Sequence, residues 1–303
     1  MIGRPGCAVA LAALLPLAGS AQQPTFKSGV DVVRVDALVT NGRKPIAGLA
    51  AGDFELRDNG VVQSIESAAF ESLPLSIIFV LDTSGSVAGR KVAHLSQAVN
   101  LFLEGLRPED RTALVTFSHR VWLRTPLVSD FGAVRRLMSS ADPAGGTALR
   151  DAVYAGLAIS DVEESRPLLI VFSDGLDNMS WMSADIVEKA AGRSNAVVYG
   201  VAVAERTLLR PVGAGRRPLE VPEYASGQTD FLEAVADATG GRLLKADTTD
   251  KLPKAFDEIL REVRTRYVLT YSPQRVDSSG WHRIDVKVKK RGAEVKARAG
   301  YQR

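Results

Sequence analysis

The strongest constraint on the fold comes from four short, continuous apolar runs in the middle of the chain. They cover residues 75–81, 113–117, 168–172 and 196–203 and are rich in Val and Ile without polar alternation. Such runs are typical of strands that are buried on both faces of a sheet. Amphipathic stretches with helical spacing lie between them, so strands and helices alternate along the chain. We therefore predict an α/β fold with a doubly wound, mostly parallel sheet that has helices on both sides.

The segments on either side of this α/β region have a different pattern, in which apolar and polar residues alternate. Residues 26–72 contain short strands separated by turn signals, and residues 266–303 return to the same alternation. A few short strands form a module that is too small to be stable without packing on something else. We expect the terminal strands to pair in one small, sandwich-like β module, with the α/β domain (74–264) inserted between them.

Residues 1–21 are predicted to be a cleaved export signal. Arg4 is their only charged side chain, residues 7–18 are almost wholly apolar, and small residues at 19–21 precede the predicted cleavage point. The apolar run is too short for a membrane anchor, and no later stretch is long enough to span a bilayer. Cleavage would also remove Cys7, the sole cysteine, which suits an oxidising compartment. We expect a mature protein without a transmembrane segment, in the periplasm or outside the cell.

Composition excludes several classes of function. The chain has 38 Lys and Arg against 35 Asp and Glu, and this net charge of +3 gives no reason to expect a nucleic-acid partner. Three His and one Cys are too few for a zinc cluster or a thiol active site. None of the three His is placed to form a catalytic triad with Ser84 or Ser86.

Polar loops follow two of the predicted strands, and a third loop opens a helix between them. These loops are Asp82-Thr83-Ser84-Gly85-Ser86, Gly145-Gly146-Thr147 and Ser173-Asp174-Gly175. Ligands of open α/β sheets bind in a crevice beyond the carboxyl ends of the strands, so we expect the three loops to line one such crevice. Five side chains would offer oxygen donors there: Asp82, Ser84, Ser86, Thr147 and Asp174. Hydroxyl-rich oxygen sites with few carboxylates favour Mg²⁺, with Mn²⁺ or Ca²⁺ as alternatives.

This arrangement resembles, in order and spacing, the metal-ion-dependent adhesion site of von Willebrand factor A (VWA) domains. The resemblance extends over residues 74–264 and includes all five motif positions. It implies that Ser84, Ser86 and Thr147 ligate the cation directly, and that Asp82 and Asp174 act mostly through waters. It further implies a non-enzymatic adhesion module, which binds a protein partner through an Asp or Glu that completes the coordination of the metal.

The flanking segments resemble a second, more narrowly defined family, the secreted VWFA-related domain proteins described from acidobacteria. This resemblance is carried by three short motifs: Asp53-Phe54-Glu55, Asp58-Asn59-Gly60 and the closing Gly300-Tyr301. This second resemblance bears on the architecture of the chain more than on its mechanism.

The loop after Asp174 supplies three candidate rim residues that could contact a partner, namely Asp177, Asn178 and Trp181. Alternatively, Asp177 and Asn178 shape the loop, and the ring of Trp181 packs on the rim. Two other functions also stay open. The chain could be an architectural envelope protein whose metal site is inert, or a metal-assisted hydrolase, although the five donor positions include no evident general base.

Overall fold

The computed structural model describes residues 32–42, 44–70, 74–161, 166–203, 205–209, 219–223 and 226–303. The predicted export signal lies outside these residues. The described strands are β1 Val33–Asn41, β2 Lys44–Pro45, β3 Phe54–Asp58, β4 Val61–Gln63, β5 Ser67–Phe70, β6 Leu75–Asp82, β7 Arg111–Phe117, β8 Val121–Val128, β9 Arg166–Ser173, β10 Val197–Val203, β11 Glu205–Leu209, β12 Leu219–Glu223, β13 Arg242–Ala246, β14 Tyr267–Tyr271, β15 Trp281–Val288, β16 Glu294–Ala297 and β17 Gly300–Gln302. The described helices are α1 Arg90–Glu104, α2 Phe131–Ser139, α3 Leu149–Ser160, α4 Ala184–Arg193, α5 Ser226–Thr239 and α6 Leu252–Arg264.

Six strands form the central sheet, in the order β13-β10-β9-β6-β7-β8. All neighbouring pairs are parallel except β7 and β8, so β8 is an antiparallel edge strand. Strands β6 and β9 are buried along their whole length, as the continuous apolar runs predict. They are also direct neighbours, and their carboxyl ends therefore lie side by side.

Helices cover both faces of this sheet. One face packs against α1, α2 and α6 through an apolar cluster that includes Phe79, Phe102 and Phe256. The other face packs against α3, α4 and α5, with Val171 and Leu232 among the buried side chains. The α/β fold with a doubly wound, mostly parallel sheet is thus confirmed.

Strands from before and after the α/β region pair directly with each other in two further sheets. One has the order β16-β1-β14-β5 with β2 beside β1, and the other has the order β17-β15-β3-β4. A shared apolar cluster contains residues of both sheets, including Val35, Leu56 and Leu269, so the two sheets pack as a sandwich. Strands β11 and β12 form a separate antiparallel pair. The predicted division of the chain into domains stays a prediction.

A buried polar junction connects the sandwich to the α/β region. Asp36 of β1 accepts hydrogen bonds from Arg166 of β9, with Nε at 2.6 Å, and from Arg266, which links α6 to β14. Arg266 is fully buried and also contacts the hydroxyl of Tyr199, which donates to Glu262 at 2.7 Å. The charges of Asp36, Arg166 and Arg266 thus satisfy one another at the point where the chain returns from the α/β region to the sandwich.

None of the helices in the described residues is long and apolar enough to cross a membrane.

Candidate metal centre

Three loops meet above the carboxyl ends of β6 and β9, and backbone hydrogen bonds hold them together. In the loop after β6, the amide of Thr83 donates to Phe117 at the end of β7, and the amide of Gly85 donates to the carbonyl of Gly145 at 3.0 Å. Gly145 has φ of +81°, a conformation that glycine adopts without strain. The amide of Ala144 donates in turn to the carbonyl of Thr83. The backbone alone therefore fixes the distance between the first two loops.

Asp82, the last residue of β6, is fully buried and has both carboxylate oxygens engaged. Oδ1 accepts from the amide of Ser84 at 2.8 Å, and Oδ2 accepts from the hydroxyl of Ser173 at 2.6 Å. The pKa of Asp82 is raised to about 6, mainly by burial and to a lesser extent by the nearby charge of Asp174, while these hydrogen bonds oppose the increase. A neighbouring cation would favour the ionised form of this carboxyl group.

Hydroxyl and carboxylate oxygens from two loops form a continuous hydrogen-bonded chain. The Oγ atoms of Ser84 and Ser86 are 3.0 Å apart, and Ser86 Oγ donates to Asp174 Oδ1 at 2.6 Å. Asp174, which is buried, lies directly after the last residue of β9. The structure thus brings four of the five predicted donors into contact through hydrogen bonds.

The fifth predicted donor, Thr147, lies over the same space. A Cβ atom added at Gly175 would lie 3.5 Å from Ser86 Oγ and 3.8 Å from Thr147 Oγ1, so both hydroxyls border the free space at this glycine. The backbone amide of Thr147 donates to Asn178 Oδ1 at 2.8 Å, and its carbonyl accepts from the amides of Asn178 and Met179. The loop after β9 therefore fixes the position of Thr147.

Lys91 belongs to this site, although the sequence analysis did not identify it. Its Nζ lies 2.6 Å from Asp174 Oδ2, opposite the oxygen that accepts from Ser86. Lys91 lies in the first turn of α1, which follows the loop of Ser84 and Ser86 after a short 3₁₀ turn. A lysine at the start of an amphipathic helix gives no sequence signal that it points toward a carboxylate rather than toward solvent.

Two of the three candidate rim residues make hydrogen bonds within the loops. Asp177 accepts from the backbone amide of Arg150 at 2.8 Å and from its guanidinium, and it accepts from Ser180 as well. Partial burial raises the pKa of Asp177, but the hydrogen bonds from Arg150 and Ser180 outweigh it and hold the pKa below its usual value. Asn178 holds Thr147 as described. Both residues shape the site in this structure.

Trp181, the third candidate, is 97% exposed, although its backbone is held in place. Its amide donates to Asp151 Oδ2 at 3.0 Å. Leu176 and Met179, in the same loop, are also about half exposed. The loop thus presents three apolar side chains to solvent on a backbone fixed by hydrogen bonds.

The chemistry of the donors fits a hard divalent cation better than a soft one. The five side chains supply three hydroxyl and two carboxylate groups, which suit Mg²⁺, Mn²⁺ or Ca²⁺. No group of three or more His, Cys, Asp or Glu side chains in the described residues could hold a metal ion. A cation bound here would therefore depend on the hydroxyls of Ser84, Ser86 and Thr147 as well as on the carboxylates.

Comparisons with known proteins identify a matching family model and several relatives. Residues 77–176 match the family described as the von Willebrand factor type A domain. The human inter-alpha-trypsin inhibitor heavy chain H4 is 26% identical over 262 residues, which cover 78% of this chain and 27% of that protein. The mouse heavy chain H2 is 25% identical over 239 residues, 72% of this chain and 23% of that protein. This chain therefore spans only about a quarter of the length of these relatives.

Solved structures show the same fold at low sequence identity. A von Willebrand factor type A structure from Catenulispora acidiphila aligns with a TM-score of 0.53 at 13% identity, covering 91% of this chain and 74% of the other. Proximal thread matrix protein 1 from the mussel byssus aligns with a TM-score of 0.50 at 14% identity, covering 74% of this chain and 49% of the other. These solved structures show that the chain has the fold of a von Willebrand factor type A domain, and residues 77–176 match the family model of that domain.

Proposed function

We propose that this protein is an exported, non-enzymatic binding module that holds a divalent cation and uses it to bind an acidic residue of a protein partner. The observation that carries the proposal is the hydrogen-bonded chain from Ser84 through Ser86 to Asp174, with the hydroxyl of Thr147 bordering the same space. The proposed metal donors that converge there are all oxygens, at the carboxyl ends of two neighbouring parallel strands.

The proposed cation is Mg²⁺, with Mn²⁺ or Ca²⁺ as alternatives. Ser84, Ser86 and Thr147 would supply neutral oxygens, and Asp82 and Asp174 would supply the compensating charge. When bound, the cation would offer a coordination position to a carboxylate of the partner, and such an ionic contact is stronger at a partly desolvated site than in water.

A hydrolase is less well supported by the same geometry. A general base needs a lone pair that can reach the substrate or a water molecule. Both oxygens of Asp82 and both oxygens of Asp174 already accept hydrogen bonds from protein groups, and both side chains are buried. These carboxylates are therefore better suited to hold a cation than to move protons.

The exposed apolar side chains of the loop after β9 would extend the contact with the partner. We define the apolar rim as Leu176, Met179 and Trp181. Large apolar side chains at the surface gain binding energy when a partner covers them, and a backbone already held by hydrogen bonds leaves less loop entropy to be lost. The proposed ligand is thus an acidic residue with apolar neighbours.

The test is calorimetric titration of the purified chain with Mg²⁺, Mn²⁺ and Ca²⁺, with and without acetate as a probe carboxylate. We expect saturable binding in the wild-type protein, loss of binding in Thr147→Val and normal binding in Thr112→Val. Thr112 is a matched control, because its hydroxyl is buried in β7 and has no hydrogen-bond partner among the described residues.

Two results would contradict the proposal. Absence of binding by the folded wild-type protein under both conditions would mean that the donors form only a capped turn. Binding that survives in Thr147→Val would mean that the cation lies elsewhere. A partner isolated by affinity capture should be released by EDTA and should not be retained by the Thr147→Val variant.

A further inference from the structure

Lys91 brings a third charge to a site whose proposed donors carry two. Its ammonium group contacts Asp174 Oδ2 at 2.6 Å, and the Asp174 side chain is almost fully buried, while Lys91 is 36% exposed. The other oxygen of Asp174 accepts from Ser86 at 2.6 Å. The carboxylate of Asp174 is therefore shared between the hydroxyl of Ser86, a proposed metal ligand, and the ammonium group of Lys91.

The charge balance depends on whether a divalent cation is present. Without one, the ammonium group of Lys91 neutralises the buried carboxylate of Asp174, which would otherwise be costly to keep ionised. With one, two carboxylates already balance the two positive charges, and Lys91 leaves the site with a net charge of +1. Two like charges that share this buried carboxylate repel each other more strongly than they would in water, because protein screens them less well.

We infer that Lys91 is an internal counter-ion that lowers the affinity of the site for divalent cations and leaves the loaded site positively charged. The loaded site then attracts an acidic ligand, and the cation and the ligand bind cooperatively, each at higher affinity when the other is present. This inference rests on the proposed function and assigns to Lys91 a role in setting the affinity of the metal site for its cation.

A positioning role for Lys91 predicts the opposite result. If Lys91 only holds Asp174 in the orientation that a cation needs, its removal should weaken cation binding. The structure favours the counter-ion role, because Ser86 already orients Asp174 through Oδ1 and does not require Lys91. The sign of the change in affinity therefore distinguishes the two roles.

The experiment is calorimetric titration with Mg²⁺ and Mn²⁺ of the wild-type chain and of Lys91→Met, Lys91→Arg and Lys189→Met. Lys189 is the matched control, since it is exposed on α4 and pairs only with Asp185 among the described residues, in the preceding helical turn. We expect Lys91→Met to bind Mg²⁺ about tenfold more tightly than wild type, a size that allows for solvent screening of a partly exposed lysine. Lys91→Arg and Lys189→Met should bind as wild type does.

Two further readouts do not depend on a partner. In EDTA, Lys91→Met should unfold at a lower temperature than wild type, because Asp174 loses its counter-ion, and Mg²⁺ should raise its melting temperature more. Acetate should strengthen Mg²⁺ binding more in wild type than in Lys91→Met, since the variant lacks the extra positive charge.

Equal or weaker Mg²⁺ binding by Lys91→Met would overturn this inference and leave the metal site intact. Lys91→Arg keeps the positive charge, so Mg²⁺ binding by this variant that is tighter than that of wild type would also contradict the counter-ion role. If neither wild type nor Lys91→Met binds any cation, with or without acetate, the proposed function fails together with the inference.

Discussion

Ser86 donates a hydrogen bond of 2.6 Å to Asp174, although 88 residues separate the two in the sequence. Strands β6 and β9 are parallel neighbours, so the loops that follow them leave the sheet at the same edge. The hydrogen bond aligns the hydroxyl of one loop with the carboxylate of the other. This preorganisation reduces the conformational entropy that a cation would cost the protein on binding.

We predict that Ser86→Ala weakens Mg²⁺ binding by at least about tenfold while the fold persists. The variant loses one oxygen donor and the hydrogen bond that orients Asp174, and because Ser86 lies at the surface, its loss should cost no more than ~1 kcal/mol of unfolding free energy. Titration calorimetry and thermal unfolding in EDTA measure the two effects separately.

The control for this variant is Ser183→Ala, which removes an exposed hydroxyl that donates to Asp185 in the first turn of α4. Its cation binding should equal that of wild type. Unchanged Mg²⁺ affinity in Ser86→Ala would exclude this hydroxyl from the cation site.

We predict that Asn178 affects the binding of the cation by positioning Thr147, without contacting the cation itself. In Asn178→Ala the amide of Thr147 loses its acceptor, so the loop should shift, and Mg²⁺ affinity should fall severalfold with a stability cost of ~1 kcal/mol. Asn178→Asp retains an acceptor at the same position and should bind more tightly than Asn178→Ala. Titration of both variants beside wild type tests this order, and equal affinities would show that Thr147 is held by other contacts.

Trp181→Ala should leave stability unchanged within about 0.5 kcal/mol, because a side chain that is 97% exposed loses almost no packing. The variant should also lose the tryptophan fluorescence that iodide quenches most readily. Trp281→Ala is the contrasting control: its ring packs against Gly192 and Gly300, so its removal should destabilise the protein. Urea unfolding and quenching titrations check both statements, and a clear loss of stability in Trp181→Ala would mean that the ring is packed on the rim.

The parts of this protein that could be predicted from sequence follow from local patterns. The run at residues 75–81 predicts β6, and the run at 168–172 predicts β9, because a strand buried on both faces tolerates no polar alternation. Once two such strands are parallel, the polar residues that follow them must share an edge, which is why Asp82 and Asp174 could be paired.

The remaining features depend on contacts that no local pattern encodes. Lys91 reaches Asp174 only because the 3₁₀ turn Gly85–Val87 sets where α1 begins and how it is rotated. The burial of Arg266 could not be predicted from the sequence either, since arginine is mostly exposed in proteins and its partner Asp36 lies 230 residues away in the chain. The sequence also did not decide whether Trp181 is exposed or packed on the rim. Its position depends on a hydrogen bond from its backbone amide to Asp151.

Thr112→Val is predicted to stabilise the protein by about 1 kcal/mol. The Thr112 side chain is fully buried in β7, and within the described part of the chain its hydroxyl has no hydrogen-bond partner, so valine of similar shape removes a desolvation cost. Thr116→Val, in the same strand, should be destabilising instead, because the hydroxyl of Thr116 accepts from Arg124 Nε at 2.8 Å. Urea unfolding of the two variants provides the comparison, and a loss of stability in Thr112→Val would reveal a buried water as its partner.

Asp36→Asn should destabilise the protein at neutral pH and remove part of its acid sensitivity. Burial raises the pKa of Asp36, but the charges of Arg166 and Arg266 outweigh it and lower the pKa from 3.8 to about 2. A carboxyl whose pKa is lower in the folded state stabilises the protein above its unfolded pKa and loses that contribution as the pH falls through the folded value. The contribution should therefore be complete above about pH 4 and disappear toward about pH 2.

Breaking a buried ion pair on one side leaves an uncompensated charge, so we expect Asp36→Asn to lose ~3 kcal/mol at neutral pH. The difference in unfolding free energy between wild type and variant should then shrink between about pH 4 and about pH 2, as measured by urea unfolding across this range. Asp185→Asn breaks an exposed pair and should track wild type at every pH. A difference that stays constant down to about pH 2 would mean that Asp36 is already neutral at higher pH, and that the junction is held by hydrogen bonds rather than by charge.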